Sequence, residues 1–175
     1  MKASLALTAF PVLGPRLTFF TGGTALRGLS RELIHHTHNS VHLVTTFDSG
    51  GSSAALRRAF AMPAVGDIRN RLLALADSSV VPSAVLDFCA SRLPAEAEVL
   101  TEAVPSAGSM SSSGKKAPAD FLRQQLTAMG RPAHPVWKTM PRVFADALRL
   151  HLNFFLDRMP PDFDPFRACF GNLVL

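Results

Sequence analysis

The chain has 175 residues and a net charge of +5, with 47% hydrophobic and 18% charged residues. This composition excludes a wholly disordered protein, which needs low hydrophobicity and high net charge. No apolar run reaches the roughly 18 residues of a membrane-spanning helix, so we expect no membrane partner. Cys89 and Cys169 are the only cysteines. Because they form no CxxC pair, they predict free thiols in a reducing, cytoplasmic compartment rather than a zinc site.

Residues 1–14 are expected to be a loose N-terminal extension, followed by one domain over residues 15–175. Lys2 and the apolar residues up to Leu13 give this segment a slight likeness to a signal peptide. A signal peptide is therefore the alternative. However, its basic region would be a single lysine, and no clear small-residue cleavage site follows.

The next part of the chain predicts two rounds of strand, loop and helix. Apolar and β-branched residues predict a buried strand at 16–20 and a second strand at 41–47. Apolar residues at helical spacing predict helices at 25–36 and 54–61. Strand, helix and strand in this order are typical of an open parallel sheet. We therefore predict an α/β fold with a parallel sheet and flanking helices.

The remaining residues predict a helix-rich C-terminal segment. Leucines and alanines predict a buried helix at 68–76, and a serine-rich stretch near 105–119 predicts a flexible insertion. Further helices are predicted at 82–92, 95–104, 119–129 and 141–159.

Three single features of this segment carry expectations of their own. Phe166–Phe170 predicts one more strand. Trp137 stands among prolines and is expected to be a packing anchor. His151 lies on the apolar face of a predicted helix, which favours a core histidine.

Four short polar segments, rich in Gly, Ser, Thr, Asp and Asn, follow a strand or begin a helix. They are residues 21–24, 48–53, 66–70 and 171–172. Glycine lets a ligand approach the backbone closely, and a helix N-terminus offers free N–H groups to an anion. Loops at the carboxyl ends of parallel strands converge on one crevice. Together, the four segments predict a phosphate-binding cleft.

Each segment also has a purely structural interpretation, which stays open at this point. Residues 21–24 fit a tight turn between a strand and a helix. Ser52 or Ser53 would cap a helix that begins at Ala54, and Asp67 would be a plain helix N-cap.

The second segment is the most informative of the four. Its amides and hydroxyls suit phosphate oxygens, with Asp48 holding a divalent cation or a ligand hydroxyl. A single helix cap does not need this many polar residues.

The basic charge is concentrated in the first half of the chain, where residues 1–77 carry eight basic and four acidic side chains. No long Lys/Arg cluster and no aromatic-basic interleaving is present, so we expect no nucleic-acid partner. Arginine presents a planar fork suited to phosphate oxygens, which favours a small phosphorylated ligand. The alternative is ordinary solvated side chains. The arginines concerned are Arg27, Arg31, Arg57, Arg58, Arg69 and Arg71.

Four histidines close together, at 35, 36, 38 and 42, invite a metal-site interpretation. His38 and His42 flank a turn and enter a strand, so they need not share a face. We therefore favour a structural or exposed role for all four.

The order of four sequence stretches resembles the 2-phospho-L-lactate transferase (CofD) superfamily. The stretches are TGGTAL (21–26), DSGGSSAALRR (48–58), PAVGDIRNRLLALAD (63–77) and FRACFGNLVL (166–175). That superfamily includes the gluconeogenesis factors (YvcK-like), which bind nucleotide sugars, and the GGSS element is closer to that branch. The resemblance implies a Rossmann-like fold. It also implies that the chain is an N-terminal portion, truncated at the C-terminus, because family members are longer.

The resemblance also implies roles for particular residues. Asp48 and Asp67 would be catalytic, and Asp48 would hold Mg²⁺. Asp48 matches the first acid of a family Asp–Asp pair, and Ser49 replaces the second acid, which weakens the metal site. The ligand-binding residues would be Gly22, Gly23, Thr24, Ser49, Gly50, Gly51, Ser52, Ser53, Gly66, Arg69, Asn70, Gly171 and Asn172.

Two functions follow from this resemblance. The first is a CofD-like transferase that binds a nucleoside-diphosphate-linked ligand and moves a phosphate-ester group to an acceptor hydroxyl, with Mg²⁺ as cofactor. The alternative is a non-catalytic regulatory factor that binds a nucleotide sugar, which Ser49 and the GGSS element favour. In either case the expected partners are a small phosphorylated ligand and a second copy of the chain.

Overall fold

The computed structural model describes residues 10–22, 24–47, 50–98 and 116–175. A short 3-10 turn precedes strand β1, and another precedes the longest helix. The regular elements are β1 (Leu17–Thr21), α1 (Arg27–Leu33), β2 (Ser40–Val44), α2 (Gly51–Phe60), α3 (Gly66–Leu75), α4 (Ser83–Ala90), α5 (Lys116–Met129), α6 (Arg142–Arg158) and α7 (Phe170–Leu173).

Strands β1 and β2 pair in parallel, with Leu17 opposite Ser40 and Thr21 opposite Val44. Helix α1 connects them, as the strand, loop and helix pattern predicted. The fold is therefore α/β, with a two-stranded parallel sheet, flanking helices and a helix-rich C-terminal part.

One face of the sheet is exposed, although the sequence predicted that the first strand is buried. Thr18, Phe20, Val41 and Leu43 alternate with half-buried residues and are exposed, and Phe20 retains 82% of its accessible surface. Successive side chains of a strand point to opposite faces. Because the helices of the described part cover one face, apolar residues on the other face remain in solvent.

The main core lies among the helices rather than under the sheet. Helices α4, α5 and α6 each contribute two or three of its buried side chains, and the others come from α2, from α7 and from the segments that connect the helices. Leu126 and Leu152 are fully buried there. The stripe of apolar residues predicted on the longest helix therefore packs inward, as its spacing indicated.

Trp137 anchors this core, as the sequence predicted. It is 6% exposed, its ring lies 5.4 Å from the Phe88 ring, and its indole Nε1 donates to the Met129 carbonyl at 2.7 Å. A buried indole that finds a hydrogen-bond acceptor fixes both the helix end and the segment that carries it.

The structure corrects two expectations for the C-terminal part. Phe166–Phe170 is not a strand: Arg167 has a φ of 55°, which ends any extended run, and α7 begins at Phe170. Cys169 forms one isolated antiparallel bridge to Arg92. His151 is exposed rather than buried, because it lies beside the inward-facing stripe of α6.

The chain before β1 is held rather than loose from residue 11 onward. The Asn39 side-chain nitrogen donates to the carbonyls of Val12 at 2.8 Å and Gly14 at 2.9 Å. The Thr37 hydroxyl donates to the Pro15 carbonyl at 2.7 Å. These bonds tie the segment to the turn between α1 and β2, whereas residues 1–9 lie outside the described part.

Two further expectations fall partly outside the described residues. The predicted helix at 95–104 is described only to residue 98, and the insertion at 105–119 only from residue 116. Residues 116–118 already belong to α5, so this helix begins earlier than predicted. Among the described residues, no helix is long and apolar enough to cross a membrane.

Replacing Leu152 with Ala should destabilise the fold, because this fully buried side chain would leave a cavity in the core. We expect a loss of about 2–5 kcal/mol in the free energy of unfolding. Urea titration followed by the fluorescence of the single tryptophan measures this loss. Leu150→Ala on the same helix is the matched control, since Leu150 is 67% exposed and should cost less than about 0.5 kcal/mol. Equal losses in the two variants would contradict the packing of α6.

Candidate functional site

A buried arginine of α3, Arg71, forms hydrogen bonds to the loop that follows β1. Arg71 is 3% exposed. One terminal nitrogen, Nη2, donates to the carbonyls of Gly22 at 3.1 Å and Ala25 at 2.7 Å, and the other, Nη1, donates to the Ser30 hydroxyl. A single side chain thus fixes both ends of the loop and the helix that follows it.

The second polar segment forms the start of α2. This helix begins at Gly51, whose φ is +53°, a conformation that glycine adopts without steric cost. Gly50 is the N-cap residue and makes no side-chain cap bond, so Ser52 and Ser53 lie inside the first turn. The interpretation of these serines as caps of a helix from Ala54 is therefore wrong.

The third segment forms the start of α3. The helix begins at Gly66 with Val65 at the N-cap position and no side-chain cap bond, so Asp67 is not the N-cap. Its carboxylate lies near the first loop, because a Cβ atom added at Gly22 would be 3.9 Å from Asp67 Oδ2. The sequence therefore folds so that the one carboxylate of this segment is close to the first glycine loop.

Arg69, one turn further along α3, is also buried, with 7% of its surface exposed. Its Nη2 donates to the Asn70 side-chain oxygen at 2.6 Å. Its Nε and Nη1 atoms are buried and make no hydrogen bond to any of the described residues. Buried polar groups normally have a partner, so these two nitrogens mark an unusual position.

The fourth segment forms α7 and packs directly against the second and third. A Cβ atom added at Gly171 would clash with the Cys89 carbonyl and would lie 2.6 Å from Arg69 Cδ. The side-chain nitrogen of Asn172 donates to the Ser52 hydroxyl at 2.9 Å. Gly171 is thus required for close approach to α3 and α4, and Asn172 bonds to α2.

The structure therefore brings together all four predicted segments. Gly22 lies near Asp67, Ser52 bonds to Asn172, and Gly171 packs on Arg69. Thr24 is exposed beside this group. The predicted residues Gly23, Asp48 and Ser49 lie outside the described residues, and with them the predicted magnesium ligand.

The electrostatics of this region are set by two buried positive charges. No ion pair joins Arg69 or Arg71 to a carboxylate within the described residues. The ion pairs there lie on α6, where Asp146 meets Arg142 and Arg149. A buried charge without a counter-charge is costly, and it creates a strong positive potential around it.

The pKa values of two other side chains, His42 and Cys89, are shifted mainly by burial. Burial, assisted by the charge of Arg71, lowers the pKa of the His42 imidazole. Its ring stacks on Phe19 with the centroids 5.0 Å apart. Burial raises the pKa of the Cys89 thiol, with a smaller contribution in the same direction from Cys169. Both directions disfavour the charged forms, His42 as a cation and Cys89 as a thiolate.

Sequence reasoning named Arg71 only as one of six dispersed arginines and did not find its role. The sequence did contain an indication of this role. Residues 68–76 predicted a buried helix, and both Arg69 and Arg71 lie near the start of that helix. The buried face of α3 consists of Gly66, Arg69, Arg71 and Ala74, whereas Leu72 is 53% exposed. Two arginines on a helix expected to be buried indicate charged groups held inside the fold.

Metal binding has limited support in the described residues. They contain no group of three or more His, Cys, Asp or Glu side chains that could hold a metal ion. In the described parts of the four segments, Asp67 is the only carboxylate. Mg²⁺ takes six oxygen ligands, commonly one or two carboxylates together with ligand phosphates and water, so Asp67 would supply one ligand of such a site.

Fold and site together define an α/β protein in which glycine loops and helix N-termini meet around buried arginines. In open parallel sheets, loops and helix N-termini of this kind gather at the carboxyl ends of the strands. The family model described as "2-phospho-L-lactate transferase CofD" matches residues 17–140. The chain belongs to this family.

The individual relatives are named gluconeogenesis factors rather than transferases. The gluconeogenesis factor of Bacillus subtilis is 46% identical over 63 residues, which are 36% of this chain and 20% of the relative. Provisionally named gluconeogenesis factors are similar too. That of Clostridium acetobutylicum is 39% identical over 77 residues, 44% of this chain and 17% of the relative. That of Nostoc sp. is 47% identical over 64 residues, 37% of this chain and 14% of the relative.

The matched region therefore covers less than a quarter of the length of these relatives. No solved structure matches the chain significantly.

Replacing Gly171 with Ala should destabilise the junction of the four segments, since the added methyl group meets the backbone of α4. Overpacking of this kind costs about 1–3 kcal/mol. Thermal unfolding followed by circular dichroism measures the change. Gly28→Ala in α1 is the matched control, because nothing lies within 4 Å of the added atom. This control should be neutral or gain up to about 1 kcal/mol from helix propensity. If Gly171→Ala were as stable as the control, the close packing of α7 would be refuted.

Proposed function

We propose that the chain binds a nucleoside diphosphate or nucleotide sugar in the cleft formed by the four polar segments. The observation that carries this proposal is the burial of Arg69 and Arg71 without a carboxylate partner in the described residues. Phosphate oxygens would supply negative charge to two arginines that no carboxylate of the described residues pairs. The membership of the CofD family agrees with a phosphorylated ligand.

The start of α2 is the best place for a phosphate group. The helix has ten residues, and its first turn carries no acidic residue. The N–H groups at a helix N-terminus and the helix dipole favour an anion there. The first turn of α3 contains Asp67, whose negative charge disfavours a second anion at that end. We accordingly assign the phosphates to the first turn of α2, at residues 51–53, and to the neighbouring loop at Gly22.

Asn172 connects this position to the rest of the cleft. Its amide nitrogen bonds to Ser52, while its Oδ1 is buried without a hydrogen-bond partner. The amide thus fixes the orientation of the first turn of α2. Loss of this bond should weaken ligand binding by releasing the turn that holds the phosphates.

Two functions build on the same binding step. The first is a regulatory factor that binds its ligand without chemistry, and the relatives named gluconeogenesis factors are compatible with it. Asp67, near the glycine loop, supports the second function, a transferase in which a carboxylate positions the acceptor hydroxyl.

A thermal-shift panel tests the proposal. The diphosphates of uridine, guanosine, adenosine and cytidine, and their sugar derivatives, are each added with and without Mg²⁺. A ligand present at 100 times its dissociation constant should stabilise the fold by about 2.7 kcal/mol. We expect at least one member of the panel to raise the melting temperature, and inorganic phosphate to give a smaller rise.

The variant Ser52→Ala separates specific binding from general stabilisation. It removes the hydroxyl that accepts a hydrogen bond from Asn172. We therefore expect the rise in melting temperature caused by the ligand to decrease, and this decrease should exceed the loss in melting temperature of the ligand-free variant. Ser79→Ala is the control, because Ser79 lies in an exposed turn away from the cleft. Stabilisation that requires Mg²⁺ would favour the transferase, and stabilisation without it would favour the regulatory factor. No shift with any nucleotide would refute the binding proposal.

A further inference from the structure

We propose that Arg71 is a positioning residue that holds the loop after β1 in its ligand-binding shape. This inference rests on the proposed nucleotide binding and adds the device that shapes the binding loop. The glycine-containing segment 21–24 gives no indication of this role. Arg71 lies on another element, α3, and contacts the loop from the buried side of the fold.

The first support is the number and kind of its partners. Arg71 donates to two backbone carbonyls of the loop, those of Gly22 and Ala25, and to the Ser30 hydroxyl of α1. All three acceptors are neutral, and Nε makes no hydrogen bond. A guanidinium spreads its donors over a rigid planar fork, so it can fix several carbonyls at once.

The second support is the backbone conformation that these bonds maintain. Leu26, at the entrance to α1, has a φ of 61° and no side-chain cap bond. A left-handed conformation is unfavourable for leucine, so it persists only where the surroundings impose it. Arg71 holds the Ala25 carbonyl of the peptide unit that enters Leu26.

The third support is the direction of the loop's amide groups. In a trans peptide unit, the C=O and N–H groups point in opposite directions. Since the Ala25 carbonyl points inward to Arg71, the Leu26 N–H of the same unit points away from it. The bond to Arg71 thus keeps the Ala25 carbonyl, which would repel an anion, on the buried side of the loop. The Leu26 N–H, which can donate to an anion, is on the other side.

The charge of Arg71 contributes in the same direction. It is buried without a carboxylate partner in the described residues, and it also lowers the pKa of His42. A ligand phosphate would therefore meet both a loop of fixed shape and a positive potential.

The test uses Arg71→Lys, which keeps the charge but loses the fork, and Arg71→Met, which loses both. Arg131→Met is the control, because Arg131 is exposed in the turn after α5. The dissociation constant is measured by isothermal titration calorimetry for the nucleoside diphosphate of the panel that stabilises the wild type most. Each variant is titrated at a temperature at which its circular dichroism shows full folding.

We expect both Arg71 variants to raise the dissociation constant by about tenfold or more, because a charge-assisted hydrogen-bond network is lost. The lysine should therefore fail to rescue binding, and Arg131→Met should stay within about twofold of the wild type. A folded Arg71→Lys protein that binds as tightly as the wild type would overturn the proposal. If Arg71→Met does not fold, Ser30→Ala replaces it, since it removes one of the three acceptors.

Hydrogen exchange separates failure of this inference from failure of the proposed function. Amides of residues 24–30 should exchange faster in Arg71→Lys than in the wild type without any nucleotide. If the wild type binds no nucleotide and this exchange is unchanged, both ideas fail. If exchange rises but the wild type binds no nucleotide, the positioning role stands and the nucleotide proposal alone is refuted.

Discussion

The close packing at Gly171 is the constraint on which the rest of the site depends. No side chain fits at this position, because the backbone of α4 and the side chain of Arg69 occupy the space. The next residue, Asn172, is thereby placed within hydrogen-bond distance of Ser52. A four-residue helix thus links α2, α3 and α4, which lie far apart in the sequence. A short helix has little stability of its own, so its position comes from these contacts.

The two buried arginines then raise an energetic problem that the packing alone does not solve. Each carries a positive charge into the fold, and neither is matched by a carboxylate within the described residues. Arg71 recovers part of the cost through three neutral acceptors, whereas Arg69 has no partner for Nε or Nη1 among the described residues. The proposed phosphorylated ligand would lower this cost by bringing negative charge close to the two guanidinium groups.

Much of the fold and the grouping of the site could be predicted from the sequence. The pattern of apolar residues predicted β1 and β2. The rule that parallel strands gather their following loops at one edge predicted that the four segments lie close together. The burial of Arg69 and Arg71 could not be derived from residue type, because arginine is almost never fully buried. The Phe166–Phe170 segment has strand-like composition, but the positive φ of Arg167 and the contacts of α7 override this local preference.

The measurement that tests the central claim most directly is amide chemical-shift mapping by nuclear magnetic resonance during titration with the stabilising nucleoside diphosphate. The account predicts that the largest shifts occur at residues 21–26, 50–53, 66–70 and 171–172, because these lie around the proposed phosphates. Amides of Leu150, Phe154 and Arg158 on α6, which line the far wall of an apolar pocket that Asn172 also borders, should change little. Shifts confined to these α6 amides, or absent from the start of α2, would contradict the proposed phosphate position.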